Sequence, residues 1–279
     1  MTLKSKPPLI SLFALLPLFF LATGFSLEPL KNGLLFHPRP EYEYSPGVFK
    51  IKYDEVKLTA ASGIKLNAWH IPGGQGPTFL LLSGNGGNMT VMLNRISYFH
   101  ELGYSSLTVD YPGFGQSEGK PSEEGTYEAA EAAWRYLTEA KKIKPEQIII
   151  YGFSLGGGVA TWLAQKHRSG GLVLDSTFTR VAEVGKSLAP EMADQVETLL
   201  GQSYDSQSRL ADIQGPLLVI HSRGDKLVPY QQGQALFESY NNGPKTMVSG
   251  QGDHMDFLLN RSEYLPAIKT FVKSIESGK

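Results

Sequence analysis

Ile148-Ile149-Ile150-Tyr151-Gly152-Phe153-Ser154-Leu155-Gly156-Gly157-Gly158 is the stretch that decides the fold of this chain. Its first residues make a β-branched run of strand length, and a helical pattern opens behind it over residues 156–167. Between the two stands Gly-x-Ser-x-Gly. A reversal from strand to helix this tight leaves no room for side chains two before and two after the serine, hence Gly152 and Gly156. The five-residue pattern also occurs in ordinary Gly-rich loops; the strand before it and the helix after it give it meaning. In that setting the Ser154 hydroxyl is held up at the amino end of a helix.

Outward from this turn, near-continuous apolar runs occupy residues 78–82, 105–109, 147–151, 171–174 and 216–220. Runs apolar on both faces suit strands covered on both sides by helices. Helical stretches at 90–102, 123–139 and 156–167 lie between them, the second carrying Ala129, Ala130, Ala132, Ala133 and Leu137 around Trp134 and Tyr136. Such alternation predicts right-handed crossovers and an α/β architecture: a mostly parallel central sheet with helices on both faces. Ahead of it, residues 55–59 and 65–71 alternate polar and apolar around Ser62-Gly63, which predicts an antiparallel hairpin. Ligands of parallel sheets bind beyond the carboxyl ends of the strands, and each motif described below falls at such an end.

The chain has 279 residues, with 26 Lys and Arg against 27 Asp and Glu. A net charge of −1 excludes a reader of nucleic-acid phosphates, which needs a basic face. At 41% hydrophobic residues the chain can bury a full core. The absence of cysteine removes disulfides, thiol nucleophiles and cysteine zinc sites together. Lys4 and Lys6 precede an uncharged run over residues 7–27 whose apolar heart is 9–25. Two readings of residues 1–27 stand side by side. A cleaved signal peptide would use Ala22-Thr23-Gly24 as its small-x-small site. An uncleaved membrane anchor needs about 17–25 mostly apolar residues. Either one places the rest of the chain outside the cytoplasm, secreted or periplasmic in the first case and tethered to the membrane in the second. Residues 28–50, with Pro29, Pro38, Pro40, Pro46, Tyr42 and Tyr44, read as an irregular connector draped over the domain. Residues 51–279 are then one domain, with a small cap at about 176–215 built from amphipathic pieces at 180–188 and 191–200.

A serine hydroxyl becomes a nucleophile when a base takes its proton. Of the six histidines, His37, His70, His100 and His167 sit in the connector, the hairpin and helices, where structural roles are expected. His221 closes a strand and is the second choice of base. His254, in Ser249-Gly250-Gln251-Gly252-Asp253-His254 after the strand-like 245–248, is the first, because a loop there can swing over the sheet edge. The base needs a carboxylate to orient it. Asp225 follows the run 217–221 and is preferred, with Asp175, at the end of 171–174, as its rival; Asp253 adjoins the base and is poorly placed. Two amides must face the oxyanion of an acyl transfer. The Leu155 N–H is one, and the loop Ser83-Gly84-Asn85-Gly86-Gly87-Asn88 should give the other from Asn85. Neither GxGxxG nor GxxxxGK[ST] fits that loop. The stretch 113–120 is a nearer miss, with Pro121 where a Ser or Thr is needed. No HExxH occurs, so the sequence calls for no cofactor and no metal.

Residues 83–88, 110–119, 152–157, 223–229 and 252–254 together resemble the α/β-hydrolase superfamily. The likeness spans about residues 50–275 and is nearest to the compact serine hydrolases called alpha/beta-hydrolase-domain proteins, many with an amino-terminal membrane segment. The chain order Ser154, Asp225, His254 is that of the family. The resemblance implies the α/β-hydrolase fold, a catalytic triad of these three residues, and an oxyanion hole from the amides of Asn85 and Leu155. It departs from the family at Ser83, where a histidine often stands. The function implied is hydrolysis of a carboxylic ester or thioester through an acyl-enzyme, on a small-molecule acyl ester, thioester or lipid. The alternative is a catalytically silent hydrolase fold that binds a ligand or partner protein.

Overall fold

The computed structural model describes residues 26–74, 76–257 and 260–277. Its central sheet contains β1 (Asp54–Thr59), β2 (Lys65–Ile71), β3 (Thr78–Leu82), β4 (Ser105–Val109), β5 (Ile148–Phe153), β6 (Gly171–Asp175), β7 (Leu217–Ser222) and β8 (Lys245–Gly250). They lie in the order β8-β7-β6-β5-β3-β4-β2-β1. All pairs are parallel except those of β2, which runs against both β1 and β4.

The apolar runs of the sequence are explained by burial on both faces. Successive side chains of a strand point to opposite sides, and in β3 Phe79 and Leu81 enter one core while Leu80 and Leu82 enter the other. The first core is closed by α2 (Leu93–Glu101) and α9 (Arg261–Ser277), through Ile96, Phe99, Ile268 and Phe271. The second is closed by α3 (Glu123–Arg135) and α4 (Leu155–Lys166), whose Ala130, Ala133, Val159 and Leu163 bring the helices close to the strands. Ser122 caps α3 by accepting the Gly125 N–H, and Glu123 and Glu124 complement its positive end. Between β6 and β7, where the sequence places a small cap, lie α5 (Val181–Leu188), α6 (Ala193–Leu200) and the single turn α7 (Ser206–Arg209); α8 (Tyr230–Ser239) follows β7.

Register brings the functional loops together. Leu82 pairs with Gly152, Phe153 with Asp175, Asp175 with Ile220, and Ser222 with Gly250. Five adjacent strands therefore end at one edge. Between β3 and β5 the strand order reverses, which opens the crevice where such sheets bind ligands.

The structure corrects several expectations. Residues 28–50 are not wholly irregular: α1 (Glu28–Leu35) starts with a proline in its first turn, where a missing N–H costs nothing, and Pro46–Phe49 form a 3-10 turn. The helix expected over 123–139 ends at Arg135 and continues as a π-turn over Tyr136–Ala140. Gln147 closes a 3-10 turn, so β5 starts one residue later and runs through Gly152 and Phe153. The helices α8 and α9 were not foreseen, since Gly233 and Pro266 interrupt their patterns. The expected signal or anchor segment lies outside the described residues save for 26–27. Among the described residues no helix is long and apolar enough to cross a membrane.

Candidate active site

The turn after β5 is built by steric exclusion. Ser154 has φ 53° and ψ −124°, a conformation that costs a non-glycine residue on the order of 1–3 kcal/mol. A Cβ on Gly152 would strike the Gly156 carbonyl and Ala160, and one on Gly156 would strike the carbonyls of Leu82 and Ser83. Neighbouring strands hold the strain in place. The Ser154 N–H donates to Asp175 O (2.9 Å), and its carbonyl accepts from Thr177 Oγ1 (2.7 Å) and from the Gly157 N–H (2.9 Å).

The loop after β8 brings His254 to this hydroxyl. Gly252 adopts φ 94°, and Asp256 Oδ2 accepts the Asp253 N–H (2.7 Å), so the chain doubles back within five residues. His254 Nε2 lies 2.9 Å from Ser154 Oγ, and its Nδ1 lies 2.7 Å from Asp225 Oδ2. The other oxygen of Asp225 accepts from the N–H groups of Leu227 (3.0 Å) and Val228 (2.8 Å). Burial pushes the Asp225 carboxyl up, but the neighbouring His221 and His254 and the Val228 N–H hold it well below the usual carboxylate range. It is therefore ionised, accepts from the Nδ1–H of His254, and leaves Nε2 free to accept the serine proton.

The residues that competed for these places in the sequence are otherwise engaged. Asp175 receives Arg95 Nε at 2.8 Å and the Tyr151 hydroxyl, and Arg95, 2% exposed, lies over the Phe153 ring at 3.9 Å. That buried pair supports the turn from below and does not reach His254. His221 donates from Nε2 to Val228 O (2.9 Å) and stands 3.5 Å from Asp225 Oδ2, the same oxygen that faces His254. Asp253 accepts the backbone N–H of His254 (2.8 Å), not its ring. His70 lies beside Asp54 and His167 against Glu131, as structural histidines should.

Gly84 packs against Ser154 so closely that an added Cβ would stand 3.3 Å from the serine Cβ. The loop holding Asn85 thus borders the hydroxyl on one side, and Leu155, whose N–H at the helix start has no intrahelical acceptor, borders it on the other. A cavity of about 720 Å³ opens over Ser154 and His254. Val91, Phe153, Leu227 and Met255 give it apolar walls, and Leu227 and Met255 are 41% and 54% exposed at its rim. A further, polar wall is formed by His37, Arg39, Glu41 and Glu43. Sequence reasoning missed that wall, because nothing local in a Pro-rich stretch announces a contact with a loop some fifty residues away.

A sheet of this order with a strained serine turn at its reversal point defines a class of fold. The chain belongs to the alpha/beta hydrolase superfamily: residues 77–202 match the family model of the alpha/beta hydrolase fold. It is 34% identical over 222 residues to the uncharacterized protein Rv2307c of Mycobacterium tuberculosis, covering 78% of each chain. It is 31% identical over 201 residues to the human alpha/beta hydrolase domain-containing protein 17B, covering 70% of this chain and 66% of that one. Among solved structures, the Pyrococcus furiosus esterase Pf2001 shares the fold with a TM-score of 0.74 at 21% identity, over 87% of this chain and 97% of that one.

Proposed function

We propose that the protein is a serine hydrolase that cleaves a carboxylic ester or thioester in two acyl-transfer steps. The observation that carries this is the unbroken line Ser154 Oγ, His254 ring, Asp225 carboxylate, facing a cavity of about 720 Å³. In the first step His254 Nε2 takes the hydroxyl proton as Oγ attacks the carbonyl carbon; the carbonyl oxygen gains the negative charge, which the N–H groups of Leu155 and Asn85 stabilise. Collapse of that intermediate expels the alcohol or thiol, protonated by His254, and leaves an acyl-serine. Water, deprotonated by the same ring, then releases the acid and restores Ser154. Asp225, ionised throughout, stabilises the ring each time it becomes cationic.

The apolar side walls suit an acyl chain, and the open mouth suits a range of alcohol or thiol groups, so small acyl esters and lipid esters are the substrate class. Lys4, Lys6 and the uncharged run 7–27 support, from sequence alone, a hydrolase domain outside the cytoplasm. The test is hydrolysis of p-nitrophenyl esters of increasing acyl length. Ser154→Ala is expected to lower kcat by about 10⁴-fold or more. Undiminished turnover in that variant would overturn the reading and leave a silent, ligand-binding fold.

A further inference from the structure

Residues 36–42 lie as a strap along the loop that carries Asn85. The His37 N–H donates to Asn85 O (2.8 Å) and the Arg39 N–H to Gly87 O (2.8 Å), so that His37–Pro38 and Gly86–Gly87 pair as a short parallel ribbon apart from the main sheet. Side chains of the loop close the same seam from the other direction. Asn85 Nδ2 donates to Leu35 O (2.9 Å), and Asn88 Nδ2 donates to both Arg39 O (3.0 Å) and Glu41 O (2.7 Å). Asn88 is 2% exposed, and its Oδ1 accepts from Thr90 N (3.1 Å) and Thr90 Oγ1 (2.7 Å), so both ends of its amide are engaged.

The far end of the strap is anchored by Tyr42. Its hydroxyl donates to Asp110 and accepts from Asn67 Nδ2 (2.8 Å) and the Gln116 N–H (3.2 Å). Asp110 in turn accepts the Met89 N–H (2.6 Å), one residue beyond the Asn85 loop. Gly115 admits Tyr42 to this place, since a Cβ there would strike the Asp110 carboxylate and the Tyr42 ring.

We propose that this strap belongs to the catalytic apparatus: it holds residues 84–88 in the conformation that offers the Asn85 N–H to the oxyanion, and Asn88 is the positioning residue that ties strap and loop together. The inference rests on the serine hydrolase reading above. Its physical basis is the composition of the loop. Gly84, Gly86 and Gly87, the last at φ 75°, give the segment wide backbone freedom and no side-chain packing of its own. An oxyanion donor works only when it is in place before the charge develops. The strap supplies that order from outside, by pinning the carbonyl and the side-chain amide of Asn85 at once.

The test compares Asn88→Asp and Asn88→Ala in the full chain, with p-nitrophenyl esters as the probe. Asn88→Asp keeps an acceptor for Thr90, loses the donors to Arg39 and Glu41 and sets a carboxylate oxygen against their carbonyls, whereas Asn88→Ala removes the donors without adding charge. Both variants are expected to lose about 10- to 100-fold in kcat, a part of what a missing oxyanion donor costs, with KM changed less than about threefold. Both should also lose discrimination between an ester and its thionoester, because a loosened hole no longer favours oxygen over the larger sulfur. A merely structural role would leave that ratio unchanged in the folded fraction. Should both variants fail to fold, Tyr42→Phe removes one hydroxyl at the far anchor and must lower kcat and the ratio in the same direction. Wild-type kcat in Asn88→Asp, or a loss carried by KM alone, overturns the proposal while Ser154→Ala remains inactive. Activity surviving in Ser154→Ala overturns the underlying reading as well.

Discussion

The two flanks of Ser154 are held by opposite means. On the side of β5 and α4, order is local and steric: four glycines lie within seven residues, Cβ positions at Gly152 and Gly156 are blocked by backbone, and a positive φ is locked in by the strand next door. On the side of β3, the loop is as glycine-rich, yet no such crowding fixes it. It borrows its order from a distant strap through five hydrogen bonds between residues 35–41 and residues 85–88. The first flank tolerates no added atom. The second tolerates change in proportion to the hydrogen bonds removed.

The largest effects are expected at the Ser154–His254–Asp225 line and at the rigid flank beside it. Asp225→Asn puts an N–H₂ or a neutral oxygen against His254 Nδ1 and favours the wrong tautomer, so kcat should fall by about 10⁴-fold with the fold intact. Measurement of kcat alongside circular dichroism checks this. Gly156→Ala should destabilise the chain by about 3 kcal/mol or more, since its Cβ meets the backbone carbonyls of Leu82 and Ser83 and no flexible side chain can yield. Urea unfolding reads that loss, and a variant as stable as the wild type would show that the elbow is softer than its geometry.

The strapped flank carries a smaller, pH-dependent signature at Asp110. Burial lifts this carboxyl to about 6, with the Tyr42 hydroxyl and the Met89 N–H pulling it back. An unfolded aspartate titrates near ~3.9. The folded state thus holds the proton more tightly, and its advantage is greatest below pH ~4 and is lost as pH rises through about 6. The loss amounts to roughly 2–3 kcal/mol between those limits. Asp225 adds little in that window and with the opposite sign, because its carboxyl is depressed in the folded state and its contribution begins to fall only as pH drops toward the unfolded value of ~3.9. Asp110→Asn should flatten the difference in unfolding free energy between pH 4 and pH 7. An unchanged slope would remove Asp110 as its source.

How much of this could be read in advance follows the same division. Gly152, Ser154 and Gly156 declare themselves because local sterics write directly into residue type. The strand edges follow from apolar runs that mark burial on both faces. Asp225 and Asp175 end neighbouring strand segments and look alike in sequence. What separates them is Arg95, which lies far off in the chain on α2 and meets Asp175 inside the core. Tyr42, Asn88 and the strap were illegible for a related reason. The partners of Asn88 and the strap are mostly backbone carbonyls and N–H groups, which every residue type offers, and those of Tyr42 include side chains 25 and 68 residues away, so no pattern in the sequence marks the pairing. The helix α1 hid within a segment whose prolines drew attention to irregularity, although only Pro29 falls inside it.

The central claim is that Ser154 is activated by His254, and covalent labelling tests it without knowledge of the substrate. A fluorophosphonate incubated with the full chain should add a single phosphonyl group, located by peptide mass spectrometry on Ser154. The rate should fall by orders of magnitude in His254→Ala. Label on another residue, or equal labelling rates with and without the His254 imidazole, would contradict the account.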